Sequence, residues 1–189
     1  ALEPVDVKKM LQRTSDLMFV MREDTCMQHL RRMEDRVVLL TGGGGGIARG
    51  VARAFADEGA SMILTDIFPG GMEKTKEELE RDFGTDVVIC VADGAREDQV
   101  KAAIEKGVEH FGKLNVLINS AQTSASGLTL VEHTQEDFDK AIYSGLYATF
   151  FYMKHAFPYL KETKGSVINF ASGAGISGKP GQSSYAAAK

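Results

Sequence analysis

The chain has 189 residues, enough for one domain with a sizeable hydrophobic core. Apolar residues make up 43% of it and charged residues 25%, proportions that are ordinary for a globular protein. The formal net charge of −4 and the pI near 5.6 argue against a general nucleic-acid binder. The sequence also lacks a lysine-rich or arginine-rich stripe that could follow a phosphate backbone.

The cysteines and the apolar runs limit the compartment and the kinds of site. Cys26 and Cys90 lie far apart, without a CxxC pattern or a Cys/His partner. We therefore expect no disulfide framework, no metal site and reduced thiols in the cytoplasm. The longest apolar run near the N-terminus, Leu17 to Met21, is too short for a signal-peptide core or a membrane span. The sequence predicts a cytoplasmic protein with no membrane partner.

The composition changes near residue 33. Residues 1–32 carry many charges and several methionines, with no strand-like segment. After them, apolar segments typical of buried strands alternate with helical patterns. The strands are predicted at residues 37–41, 62–66, 87–91, 114–119 and 166–171. The helices are predicted from the glycine run through Ala56, at about 72–83, at 97–111, from Thr134 to about Leu160, and at the end of the sequence. Thr134 and Asp137 resemble a capping box.

The order of these elements predicts the fold. Strands without polar alternation, separated by helices of about ten or more residues, are typical of a parallel sheet covered on both faces. Right-handed crossovers then give an α/β doubly wound parallel sheet, the Rossmann fold, over residues 33–189. Ligands bind such sheets at the carboxyl ends of the strands. The unusual residues follow strands at these ends, namely Thr41–Ala48, Asp66, Asp93, Asn119 and Ser172.

A glycine run, TGGGGGIARG from Thr41 to Gly50, joins the first strand to the first helix. Glycines let the backbone turn tightly and approach a pyrophosphate, and the helix N-terminus offers free N–H groups to the phosphates. The spacing GxGxxG is met only as Gly43, Gly45 and Ala48. A flexible turn without a ligand is the alternative interpretation. A phosphotransferase P-loop is excluded because no Lys-Ser/Thr pair follows the glycines.

Asp66 narrows the interpretation of this loop. It ends the second strand about twenty residues beyond the loop, where a carboxylate can accept hydrogen bonds from both hydroxyls of an adenosine ribose. Its charge would repel a 2′-phosphate. No lysine or arginine stands between Gly42 and Ile47, or just after Asp66, to neutralise such a phosphate. A strand-end aspartate in a turn is the alternative, but the position favours NAD over NADP as the cofactor.

From about Met33 to Lys189 the sequence resembles the short-chain dehydrogenase/reductase family. The glycine run is similar to the family's TGxxxGIG loop, with Ala48 in place of the last glycine. Asn119-Ser120-Ala121-Gln122 is similar to its NNAG segment, and Ser172 with Tyr185 and Lys189 match its catalytic serine and YxxxK. The resemblance implies catalysis by Ser172, Tyr185 and Lys189. It implies cofactor binding by Gly42, Gly45, Gly46, Ile47, Asp66, Asp93 (along the adenine ring), Asn119, Ala121, Tyr185 and Lys189.

The catalytic residue types suit the oxidation of an alcohol. Such a reaction removes a hydroxyl proton while hydride leaves the adjacent carbon for the nicotinamide. Lys189 lies one helical turn after Tyr185, so its charge is expected to stabilise the phenolate that acts as the base. Ser172 would hydrogen-bond the substrate oxygen, and the resemblance places Lys189 on the nicotinamide ribose. We predict NAD-dependent interconversion of a small-molecule secondary alcohol and a ketone. The alternative is a non-catalytic NAD-binding or regulatory protein of the same fold.

Two features depart from the family pattern. The family usually carries an asparagine in the helix after the fourth strand, and the alignment places Gly145 at that position. We expect this glycine to bend the helix and expose a backbone carbonyl, with weakened or rerouted proton transfer. In an alignment shifted by a residue or two, Tyr143 or Ser144 fills the space instead. The second departure is that the sequence stops at Lys189, so we expect the C-terminal part of the fold, with its substrate-covering loop, to be absent from this chain.

The resemblance also bears on assembly and on the substrate site. Apolar residues within 1–32 are compatible with an amphipathic helix that packs on a neighbouring subunit, or with an extension of little consequence. The resemblance implies a homodimer or homotetramer formed through the helix at 134–160 and the YxxxK helix. The apolar residues 147–152 suit such an interface or a core equally well. By analogy the substrate site would be lined by Gln122, Thr123, Ala174, Gly175 and Gln182.

Overall fold

The computed structural model describes residues 31–125 and 127–189. The proposed N-terminal helical arm therefore lies almost entirely outside the described residues. Within them, five strands and seven α-helices alternate, with one π-helical segment. The strands are β1 (Val37–Thr41), β2 (Ser61–Asp66), β3 (Val87–Val91), β4 (Val116–Asn119) and β5 (Ser166–Asn169). The helices are α1 (Gly46–Asp57), α2 (Pro69–Phe83), α3 (Glu97–Phe111), α4 (Gln135–Ala141), the π segment (Ile142–Tyr147), α5 (Ala148–Thr163), α6 (Ala174–Ser177) and α7 (Ser183–Ala188).

The strands form one parallel sheet in the order β3-β2-β1-β4-β5. β1 lies at the centre, with Val38 opposite Met62 of β2 on one side and Val116 of β4 on the other. The chain builds outward from β1 to β3 and then returns to the other side of β1 at β4. Open α/β sheets bind ligands at such a switch point. The predicted doubly wound fold is confirmed.

The sheet is buried on both faces, as the unbroken apolar strands predict. Successive side chains of a strand point to opposite faces, so neighbours in sequence enter different cores. Leu39, Ile63 and Leu117 pack against α3 and α5 on one face. Leu40 and Leu64 pack against α1 and α2 on the other. The result is a three-layer arrangement that holds the carboxyl ends of the strands at one edge.

The predicted long helix from Thr134 to about Leu160 is confirmed as an uninterrupted helical stretch, but it contains a π turn that was not predicted. The structure divides it into α4, the π segment and α5. The predicted capping box at its start is confirmed, because Thr134 Oγ1 accepts the Asp137 N–H at 3.1 Å and the Asp137 carboxylate accepts the Thr134 N–H at 3.2 Å. A π segment adds a residue to a turn and is found mostly at functional sites. Gly145 lies buried inside it.

Other differences are small. β4 begins at Val116 instead of residue 114, β5 ends at Asn169 instead of residue 171, and α2 begins earlier, at Pro69. The short helix α6 was not predicted. No helix in residues 31–125 and 127–189 is long and apolar enough to cross a membrane. In the same residues, no group of three or more His, Cys, Asp or Glu side chains is placed to hold a metal ion.

Candidate active site

A cavity of about 520 Å³ opens at the carboxyl ends of the central strands, over the switch point. It brings together seven of the residues that were predicted to bind the cofactor. These are Gly42, Gly45, Gly46, Ile47, Asp66, Asp93 and Ala121. Asn119, Ser172, Tyr185 and Lys189 are not part of its wall. The structure therefore separates a cofactor-sized cavity from an adjacent group of polar side chains.

The glycine run forms one wall of the cavity through its backbone. Gly42 has a φ of +72°, and a Cβ there would lie 3.1 Å from Ala121 Cα, so glycine is required for both conformation and space. Thr41 Oγ1 accepts the N–H groups of Ser120 and Ala121, each at 3.0 Å. The glycine run and the loop after β4 are thus held together. The first turn of α1, which begins at Gly46, carries no acidic side chain, so its positive end is available to an anion.

Asp66 is fixed at the edge of the cavity. Its carboxylate oxygens accept the N–H groups of Gly44 and Phe68, each at 3.1 Å. The next two side chains, Ile67 and Phe68, are apolar and exposed. Behind the carboxylate, the glycine run packs directly on the start of α2, where a Cβ on Gly71 would meet Gly44 Cα at 2.8 Å. The negative charge therefore has a defined position with no basic neighbour in its own loop.

Asp93 follows β3 and Asn119 ends β4. The carboxylate of Asp93 accepts the Ala95 N–H at 2.9 Å, so it shapes the turn into α3 as well as lining the cavity. Asn119 is buried, and its Nδ2 donates to Asn169 Oδ1 at 2.8 Å. Its Oδ1 has no hydrogen-bond partner among the described residues. Asn119 therefore joins β4 to β5 and has an acceptor to spare.

Tyr185, Lys189 and the segment that carries Ser172 meet beside the cavity. Lys189 Nζ donates to the Phe170 carbonyl at 2.6 Å and lies 6.0 Å from the centre of the Tyr185 ring. A Cβ on Gly175 would come within 2.5 Å of the Lys189 carbonyl carbon, so α6 packs directly on the end of α7. Ser172 Oγ accepts the Ala174 N–H at 3.2 Å. Burial lowers the pKa of Lys189, and the neighbouring Tyr185 opposes this shift.

The apolar residues 147–152 prove to be divided between surface and core. Tyr147 and Phe150 are exposed, whereas Tyr152 is buried. The Tyr152 hydroxyl hydrogen-bonds the buried Thr65 side chain, and burial raises the pKa of this tyrosine to about 12. Tyr152 also lines the cavity. The spacing of Ala148, Tyr152, Ala156 and Leu160, all buried, could have predicted this from the sequence.

The structure also shows which residue lies at the position where the family pattern has an asparagine in the helix. The Ser144 hydroxyl shares its proton between two acceptors, the Lys140 carbonyl at 2.7 Å and the Thr123 carbonyl at 2.8 Å. Tyr143 is 44% exposed and stacks on Tyr147. Gly145 is the buried residue of the π segment, and it faces Gln122. Neither Tyr143 nor Ser144 fills the space in question.

Comparisons with known proteins identify the family. The sequence model of the short chain dehydrogenase family matches residues 36–189. This chain belongs to that family. A 12alpha-hydroxysteroid dehydrogenase from a Clostridium species is 51% identical over 162 residues, which are 82% of this chain and 62% of that protein. Levodione reductase from Leifsonia aquatica is 37% identical over 160 residues, 84% of this chain and 60% of that protein.

Solved structures show the same fold. The crystal structure of levodione reductase superposes with a TM-score of 0.80 at 34% identity and covers 83% of this chain and 62% of its own. The structure of NAD⁺-bound xylitol dehydrogenase also gives a TM-score of 0.80, at 25% identity, and covers 84% of this chain and 61% of its own. This chain nonetheless spans less than two thirds of the length of each of these relatives.

Proposed function

We propose that this chain forms the cofactor-binding and catalytic part of an NAD-dependent oxidoreductase that interconverts a secondary alcohol and a ketone. The observation that carries this proposal is the packing of Tyr185 and Lys189 against the Ser172 segment, directly beside the glycine-lined cavity. A protein that only binds or senses NAD would need the cavity alone. The retained serine, tyrosine and lysine favour the enzyme over that alternative.

The cavity suits a nicotinamide dinucleotide. Its volume lies in the range of small-molecule sites. The close backbone approach at Gly42 and the uncharged first turn of α1 fit a pyrophosphate, and the fixed carboxylate of Asp66 fits an unphosphorylated ribose. The NAD⁺-bound neighbour is consistent with this choice. Bound NAD supplies the nicotinamide ring that accepts the hydride.

The polar group beside the cavity supplies proton transfer. Tyr185 takes the hydroxyl proton of the alcohol as the carbon–hydrogen bond breaks. The Lys189 ammonium, partly desolvated by burial, stabilises the phenolate form of Tyr185 that accepts this proton. Ser172 donates a hydrogen bond to the substrate oxygen and holds it against Tyr185. In the reverse direction Tyr185 returns the proton to the oxygen of the ketone.

We further propose that the alcohol is carried on a large apolar skeleton. Leu130, Val131 and Ile176 are strongly exposed, and Ile176 lies in α6, which packs on the Tyr185 helix α7. The loop of Leu130 is fastened to that helix because His133 hydrogen-bonds the buried Ser184. Apolar side chains around a polar centre are typical of sites for apolar ligands. The hydroxysteroid dehydrogenase at 51% identity supports a steroid alcohol as the first substrate to test.

The experiment is an assay of nicotinamide absorbance with the purified protein. NAD and NADP are each offered with a hydroxysteroid and with a short-chain secondary alcohol. We expect NAD to be reduced, and faster with the hydroxysteroid. NAD binding without turnover of any alcohol would favour the non-catalytic alternative. Absence of NAD binding would reject the proposal as a whole.

A cytoplasmic homo-oligomer completes the proposal. The π segment and α5 present a run of exposed apolar side chains, at Tyr143, Leu146, Tyr147, Phe150, Met153 and Phe157. Burial of such a face between two copies is the usual arrangement for a contiguous apolar patch. Light scattering of the protein and of Phe157→Asp checks this. A dimeric or tetrameric mass that falls in the variant is expected, and a monomeric parent protein would contradict it.

A further inference from the structure

Gln122 has a buried amide with no partner in the protein. It follows β4 in the loop held by Thr41, and it lines the wall of the cavity. Neither its Nε2 nor its Oε1 makes a hydrogen bond to the described residues, although both atoms are inaccessible to solvent. A side-chain amide can donate two hydrogen bonds and accept two, and burying it unpaired is costly. A buried unpaired amide in a native structure therefore needs an explanation, and its position in the wall of the cavity supplies one.

The space around this amide shows what it replaces. A Cβ on Gly145 would lie 3.0 Å from both Cδ and Nε2 of Gln122. It would also lie 3.2 Å from the Cβ of Ala188, the residue before Lys189. The Gln122 amide therefore reaches from its loop into the space that a side chain at position 145 would occupy. The long side chain in the loop and the missing side chain on the helix are complementary.

We propose that Gln122 is a positioning residue for proton transfer at Tyr185 and Lys189. Its amide takes over, from the loop, the role that an amide at position 145 would have on the helix. The amide is unpaired in this structure and lies between the π segment and the end of α7, so it can hydrogen-bond the groups that carry the proton once cofactor and substrate are bound. This inference rests on the proposed function, since it concerns the proton that the alcohol gives up.

The π segment supports this role. A π segment is a single widened turn within a helix, and such turns are found frequently at functional sites. Gly145 lies in this segment, and the Gln122 amide lies against it. The Gln122 amide has donors and an acceptor that no described residue satisfies, so it can both give and accept a hydrogen bond during proton transfer.

The test uses a cycle of variants at the two positions. Gln122→Met keeps the length of the side chain and removes its hydrogen bonding. Gly145→Asn adds an amide on the helix but crowds Gln122. The double variant Gln122→Gly with Gly145→Asn removes the crowding and moves the amide to the helix. Gln135→Ala, an exposed glutamine at the start of α4, is the control.

The readouts are kcat, KM, the pH profile of kcat, NADH affinity by fluorescence, and the melting temperature. We expect Gln122→Met to lower kcat by about tenfold to about a hundredfold and to shift the pH profile. NADH affinity and melting temperature should stay near those of the parent protein. Gly145→Asn alone should lose more activity, and the double variant should recover to within about threefold of the parent.

Several results would overturn the inference. An unchanged kcat and pH profile in Gln122→Met would make Gln122 a space-filling residue. A loss confined to NADH affinity would make it a cofactor contact. Failure of the double variant to recover would remove the proposed equivalence of the two positions. If the parent protein binds NADH and turns over no alcohol, the proposed function fails as well, and this result is distinct from an active parent whose variants match it.

Discussion

Replacing Asp66 by asparagine removes one negative charge and keeps the shape of the side chain. In the structure the carboxylate accepts the N–H groups of Gly44 and Phe68, and the single carbonyl oxygen of asparagine can keep one of these bonds. The remaining hydrogen bond and the close packing of Gly44 on Gly71 should keep the loop in place. The change isolates the part of cofactor recognition that depends on the charge.

The expected change in cofactor preference is the sum of two effects, a gain in NADP affinity and a loss in NAD affinity. Two charges about 4 Å apart interact by about 1 kcal/mol in water and about 4 kcal/mol near a protein surface. Because Asp66 is half-buried, we take the repulsion of a 2′-phosphate as about 2 kcal/mol, which corresponds to a gain of about thirtyfold in NADP affinity. A lost hydrogen bond to a charged group costs about 1.5–3 kcal/mol, so NAD affinity should fall at least about tenfold. The preference should shift by about 300-fold or more.

Titration calorimetry of NAD and NADP against the parent and Asp66→Asn measures both affinities. Asp98→Asn is the matched control, because it removes the same charge from an exposed position at the start of α3. Asp98→Asn should leave the preference unchanged. If Asp66→Asn binds NAD with the affinity of the parent, and NADP likewise, the assignment of Asp66 to the ribose is refuted.

Three further predictions follow from single contacts. Tyr152→Phe leaves the buried Thr65 hydroxyl unpaired and should lower the unfolding free energy by about 1–3 kcal/mol in urea titrations; it should also remove one phenol that ionises near pH 12 in the absorbance titration. Thr134→Ala removes the helix cap and should cost about 1 kcal/mol, while its neighbour Gln135→Ala should cost much less. Burial lowers the pKa of Lys189, so activity should be lost on the alkaline side of the pH profile at a pH below 10.5. Lys189→Arg should move this loss to higher pH, since a guanidinium keeps its proton. An alkaline loss at the same pH in both proteins would contradict the assignment.

The sheet could be predicted from sequence because each strand carries its own signal. Val37–Thr41 and Val87–Val91 are apolar runs between turn residues, and their bounds agree with the structure. β5 ends earlier than predicted because Phe170 and Ala171 continue the apolar pattern after the pairing with β4 has stopped. The apolar pattern of a sequence indicates which residues are buried. A strand, however, ends where the hydrogen bonds to its partner strand end.

The site could be predicted only in its parts. Asp66 and the glycine run follow strands, so a parallel sheet is enough to bring them together. The π segment could not be predicted, because a single widened turn inside an α-helix leaves too short a change in the apolar pattern to be recognised. The contact between Gln122 and Gly145 joins residues far apart in sequence, and only the folded backbone shows that one fills the space of the other. Gly145 departs from the family pattern, and the side chain of Gln122 fills the space that this departure leaves. The sequence alone did not show that the two positions are related.

The rate of NAD reduction by Tyr185→Phe tests the account most directly. The substitution removes one hydroxyl and keeps the ring that lies near Lys189. Tyr159→Phe is the control, because Tyr159 lies in α5 and does not line the cavity. At saturating NAD and alcohol we predict a loss of at least about a hundredfold in Tyr185→Phe, with unchanged NADH affinity and with Tyr159→Phe near the parent rate. Equal rates in the parent and in Tyr185→Phe would contradict the claim that this corner of the molecule transfers the proton.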